Sequence, residues 1–143
     1  MAALGLSYGQ FAIATTVYAL KFDFQRPLPS RWELVHQVSN STTIPVKNLG
    51  YNRFTVAGQV QVAGSAVATC IADILSVSSE RKLSWLEGGT EVYVYAKGGA
   101  VTSCVPKIEA LAGSSDHYLV GFSFGSTRTK LYKASDDSVL WGS

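Results

Sequence analysis

The stretch Arg53-Phe54-Thr55-Val56-Ala57-Gly58-Gln59-Val60-Gln61-Val62 decides the fold class. Phe54, Val56, Val60 and Val62 fall on one side of an extended chain, and Arg53, Thr55, Gln59 and Gln61 on the other. Alternation with period two marks a strand that buries one face, so this run is expected to be a central core strand. Its outer glutamines are neutral and easily desolvated.

Shorter runs of the same kind flank it. Between Phe11 and Phe24 the apolar parity switches near Thr15 and Thr16, which predicts a β-bulge or a strand that crosses between two sheets. Arg26-Pro27-Leu28-Pro29 ends that run, because proline cannot donate to a ladder. A strand is expected from Arg31 to Val38, with Trp32, Leu34, His36 and Val38 on one face, then a loop over Asn40 to Pro45 and a turn at Asn48 to Asn52. After Gly64-Ser65, the residues Val67, Cys70, Ile71, Ile74 and Leu75 repeat at helical spacing with Ser65 as N-cap. A short helix around 66–78 is therefore expected, with a strand buried on both faces as the alternative.

Leu83-Ser84-Trp85-Leu86 and Glu91 to Lys97, joined through Gly88-Gly89, read as a hairpin. Gly98-Gly99 reads as a further turn into Ala100 to Val105, closed by Pro106. Ala112 to Asp116 is a loop, His117 to Phe124 a strand, and Arg128 to Ala134 turns through Ser135-Asp136-Asp137-Ser138 into Val139-Leu140-Trp141. The pattern as a whole predicts one mainly β domain over 1–143: an antiparallel β-sandwich, jelly-roll-like fold or barrel of about eight or nine short strands with at most one short helix.

Composition narrows the function classes. Of the 143 residues 47% are hydrophobic but only 15% are charged, against roughly 25% charged in average domains. A surface of small uncharged residues loses little hydration when another protein docks on it. The net charge of +2 is far below what phosphate neutralisation over a nucleic acid calls for. The first twenty residues lack a positively charged region, and Tyr8, Gln10, Thr15 and Thr16 interrupt their apolar run, so a soluble protein made without a signal peptide is expected, with no membrane partner. Two cysteines, Cys70 and Cys104, are expected to be small buried thiols, with a single bridge between them as the alternative. The sequon Asn40-Ser41-Thr42 reads as a polar loop.

Catalytic, cofactor and metal sites are all expected to be absent. Gly121-Phe122-Ser123-Phe124-Gly125 matches the nucleophile elbow, but it lies inside an alternating strand and no histidine follows Ser123. The two histidines, His36 and His117, are read as structural, and Gly88-Gly89 and Gly98-Gly99 lack the frame of a phosphate loop. Two strand faces stand out as contact candidates. Tyr93 and Tyr95 share a face with Glu91 and Lys97, which suits a sugar-stacking platform, a protein contact or aromatics covered by another part of the fold. Arg128, Lys130 and Tyr132 alternate base and aromatic as a single-strand RNA surface does, with a solvated, charge-protected edge strand as the plainer reading.

The functional expectation is a non-enzymatic structural subunit, a homo-oligomer or a component docked on a larger assembly. Most concretely, it is a viral or phage particle protein such as a capsid, decoration or tail component, located in the virion. The alternative is a ligand-binding β module, taking carbohydrate through Tyr93 and Tyr95 or RNA through Arg128, Lys130 and Tyr132.

Overall fold

A computed structural model of the chain describes residues 3–20, 24–35, 46–106 and 117–142. His36, the loop with the sequon, and the loop over Ala112 to Asp116 lie outside them. Ten strands form among the described residues: β1 (Gln10–Ile13), β2 (Thr16–Leu20), β3 (Arg31–Val35), β4 (Val46–Tyr51), β5 (Thr55–Ala63), β6 (Arg81–Glu87), β7 (Thr90–Pro106), β8 (His117–Ser126), β9 (Lys130–Lys133) and β10 (Val139–Gly142). One helix, α1 (Val67–Leu75), stands between β5 and β6. The mainly β expectation holds.

Strand β7 organises the ladder. Its first part pairs with β6, from Glu87 opposite Thr90 to Arg81 opposite Ala96. Its second part pairs with β8, from Ala96 opposite Ser126 to Pro106 opposite Tyr118. Ala96 belongs to both ladders. Antiparallel pairing then runs from β6 to β1, β2, β5 and β8, so six strands close on themselves as a barrel. Strands β9 and β10 extend the ladder from the first part of β7, while β3 and β4 form a separate two-stranded sheet.

Gly98-Gly99 is not the turn its composition suggests. The chain stays extended through it, with the register shifting between Ala96 and Gly99. A Cβ on Gly99 would stand 2.7 Å from the Phe124 ring and 2.9 Å from the Ser123 carbonyl, so glycine is needed for the close approach of β8. The parity switch near Thr15 also has a different origin. It separates β1 from β2 across a two-residue hairpin turn in which Ala14 takes φ 56°.

The barrel is filled by its own side chains. Phe11, Ile13, Val56, Val60, Leu83, Val94, Val120, Phe122 and Phe124 are buried to 1% exposure or less. Phe11 stacks on Phe122 with ring centroids 4.7 Å apart, and Phe24 leans on both Phe11 and Trp85. Gly58, the one gap in the apolar face of β5, makes room for Phe24, whose ring would be 3.1 Å from a Cβ there. Helix α1 covers part of this core with Cys70 and Ile74, which are buried, and with Val67 and Ile71, which pack against it. The helix is shorter than the expected 66–78, and the strand alternative does not occur. Ser65 is not its cap: it lies in a 3-10 turn over Gly64–Ala66, and Ala66 precedes the helix without a side-chain bond.

Gly99→Ala is expected to lower unfolding stability by about 1–3 kcal/mol, the usual cost of forcing an extra methyl into a packed site. Urea denaturation checks this. A stability equal to the parent would mean that β7 and β8 do not approach as closely as described.

Candidate interaction surface

The outer side of β7 and β9 carries the tyrosines singled out in the sequence. Inward-facing Val92, Val94 and Ala96 alternate with Glu91, Tyr93, Tyr95 and Lys97, as the period predicts. Register sets Tyr93 beside Ser84 on β6 and beside Tyr132 on β9. The Tyr93 and Tyr132 rings stack at 5.0 Å with an interplanar angle of 7°, and Tyr95 meets both edge-on at 5.5 Å. Of the readings weighed for Tyr93, cover by the fold is the one its geometry fits: it is only 3% exposed, and Tyr95 is half-buried. The Tyr93 hydroxyl donates to Asp137 Oδ1 at 2.7 Å. Burial, then that bond, raises the phenol's pKa.

Cations close the cluster. The Lys82 ammonium stands 4.2 Å over the Tyr93 ring and 3.8 Å from Asp137 Oδ1. The Arg128 guanidinium lies 3.9 Å over the Tyr95 ring and donates through Nη2 to Glu80 Oε1 at 2.7 Å. Hydrogen bonding from Thr127, then from Arg128, holds the Glu80 carboxyl below its ordinary pKa. Bonding to Tyr132 and then Glu80 raises that of Arg128. Such half-exposed ion pairs contribute about 0–1 kcal/mol each to stability, but they fix where the cations point. Arg128, Lys130 and Tyr132 are thus brought near one another. Arg128 sits in a bend ahead of β9 and turns onto Tyr95, while Lys130 is half-buried in β9.

Glu80 and Asp137 carry no signal in the sequence. Glu80 reaches Arg128 from 48 residues away and Asp137 reaches Tyr93 from 44, distances no local pattern spans.

A second polar group joins α1 to the barrel. Asp73 accepts from the Tyr18 hydroxyl at 3.0 Å and from Arg81 Nη1 at 2.7 Å. Arg81 Nη2 also donates to the carbonyls of Ser76 and Lys97, tying the segment after the helix to β7. Cys70 and Cys104 are both free thiols, and Cys104 is exposed rather than buried. The helix seals Cys70 against the core, whereas the last residues of β7 lie open. Burial pushes the Cys70 thiol up to about 11.

Ser123 sits in the middle of β8, opposite Ala57 on one side and Ala100 on the other, with no turn into a helix. His117 begins the same strand opposite Ala63. Among the described residues, no three His, Cys, Asp or Glu side chains gather closely enough to hold a metal ion, and no helix is long and apolar enough to cross a membrane.

The outer side of β5, β8 and the second part of β7 is chemically different. By register it carries Thr55, Ala57, Gln59 and Gln61 on β5, Leu119, Gly121, Ser123 and Gly125 on β8, and Ala100, Ser103 and Val105 on β7. None of these side chains is ionisable, but two that are border the face: the Arg53 guanidinium, 3.6 Å from where a Cβ on Gly125 would stand, and His117, opposite Ala63. A shallow depression of about 350 Å³ opens here, bounded by Gln25, Gln59, Thr102 and Ser123 among others. The alternation of β5 indicated its part of this face, but the pairing that widens it to three strands is long-range.

In the folded protein, a thiol reagent at neutral pH is expected to label Cys104 and leave Cys70 untouched until denaturant is added, as titration of thiol equivalents would show. Equal, rapid labelling of both would contradict the seal over Cys70. The chain matches no protein-family model, no curated protein and no solved structure.

Proposed function

We propose that this chain is a non-enzymatic structural subunit that associates with further copies of itself or with a larger assembly, most concretely a viral or phage particle protein such as a capsid, decoration or tail component. The observation that carries this reading is the three-strand outer face of β5, β8 and β7, where neutral side chains of small or moderate size stand in rows between Arg53 at one end and His117 at the other. Docking on the middle of such a face removes no ion from water, so little of the gain from apolar contact is lost to desolvation. The filled barrel adds to it: aromatic rings occupy the interior where a larger barrel would hold a ligand. The step from assembly in general to a virus particle rests on class-level likeness to small β subunits.

A sugar platform needs open aromatic faces. Tyr132 stacks on the Tyr93 ring, Lys82 stands over it and Arg128 stands over Tyr95, so the tyrosine pair is engaged within the chain.

The purified chain is expected to sediment as oligomers at micromolar concentration. Gln59→Glu and Ser123→Asp, which place charge on the neutral face without touching the core, are expected to weaken association by roughly tenfold to a hundredfold, or about 1.4–2.8 kcal/mol. A strict monomer, or oligomers indifferent to both substitutions, would overturn the reading.

A further inference from the structure

The segment ahead of β1 is seated on the outer side of β6 and β7 by one carboxylate. The backbone N–H groups of Leu4 and Leu6 donate to Oε2 and Oε1 of Glu91 at 2.8 and 3.0 Å. Gly5 between them has φ 73°, a left-handed conformation that turns the two amides to one side and makes a small nest for an anion. Charge-assisted bonds of this kind are about twice as strong as neutral ones. Leu6 is 8% exposed, and Leu4 lines a small cavity of about 10 Å³ together with Lys82, Ser84 and Tyr93. Beside it a depression of about 320 Å³ is bounded by Leu86, Thr90, Lys133 and Ser135.

The joint to the barrel is a glycine in the left-handed region. Gly9 has φ 78° with open space around it, and Tyr8 is 71% exposed. On the barrel side of Gly9, its carbonyl accepts from Leu20 N–H at 2.7 Å, which ties this end of the segment to β2. The arm itself is held by the Glu91 pair, the burial of Leu6 and a bond from Ser7 N–H to Gln10 Oε1 at 2.8 Å.

We propose that residues Ala3–Ser7 are an exchangeable arm, the Leu4–Gly5–Leu6 nest of one copy clipping onto Glu91 of a second copy. The contacts are the same within one chain or between two, so exchange costs mainly the entropy of bringing copies together, and any further interface offsets that cost. The occupant of the groove is already defined by its seat in the single chain: an extended apolar segment with a left-handed glycine and two convergent amides. This inference rests on the self-association proposed above and adds its connector.

Full-length chain carrying a diazirine amino acid in place of Ala3 is co-refolded from an equimolar mixture of 15N-labelled and unlabelled protein, separated by size, and irradiated. In the oligomeric fraction, cross-links from position 3 to the 131–135 region are expected to be roughly half mixed heavy–light pairs, the value for random exchange between copies. Only heavy–heavy and light–light pairs in a genuine oligomer would overturn the arm while leaving assembly standing. Absence of any oligomer overturns both. Glu91→Gln, which removes one of the two charged acceptors, is expected to cut the mixed pairs at least roughly fivefold; an undiminished yield from this variant would equally overturn the nest as the connector.

Discussion

Strand β7 has to satisfy two partners in succession, β6 over its first part and β8 over its second, and the closed ring depends on that handover at Ala96. Were β7 to stop at Lys97, β8 would have only β5 beside it and the sheet would end in two open edges. The bend is sterically narrow. Val77 presses on Gly98 and Phe124 on Gly99, so two consecutive positions without a Cβ are what let α1's following segment and β8 reach the same stretch of β7. Once the ring closes, its interior is too small for anything but the chain's own aromatics, and Phe11, Phe24, Trp85, Phe122 and Phe124 fill it.

Closure also explains which parts of the fold were legible in the sequence. The alternation of Phe54 to Val62 survives as β5 because that strand buries one face along its whole length, in the pattern a local reading detects. The hairpin of β6 and β7 was equally readable, from its turn glycines and period. Gly98-Gly99 was misread because a glycine pair signals a turn when only neighbours in sequence are considered. What it answers here is the close approach of Val77 and Phe124, the latter from 25 residues further on. The strand count exceeds the expected one because Ala14 adopts a conformation normally left to glycine and splits β1 from β2, while β4 forms over Val46–Tyr51 where the sequence suggests a turn at Asn48 to Asn52; the union of two expected strands in β7 offsets one of these.

The candidate surfaces were legible to a smaller degree. Period alone placed Tyr93 and Tyr95 on the outer side of β7, which is where they stand. Whether an outer face is open depends on what distant chain lies over it, and here Tyr132 stacks on Tyr93 and Asp137 takes its hydroxyl, with Leu4 across a small cavity from it. Likewise Arg128 and Lys130 were readable as bases, but the carboxylate that fixes Arg128 comes from Glu80, between α1 and β6.

The same bend divides the outside of the barrel into two sides of opposite character. Along the first part of β7, charges are present and several are engaged: Glu91 with the amides of Leu4 and Leu6, Lys82 with Asp137, Arg128 with Glu80. Along the second part, beside β8 and β5, the rows of Thr, Ala, Gln, Gly and Ser, with Leu119 and Val105, are neutral between Arg53 and His117. An incoming protein surface therefore meets mostly engaged ions on one side and, on the other, neutral rows with Arg53 at their end. Attraction at long range would be weak on both sides and selectivity would come from shape. For copies that must pack in a fixed arrangement, that combination favours association governed by close fit over association governed by charge, and so by contacts that only one geometry can make.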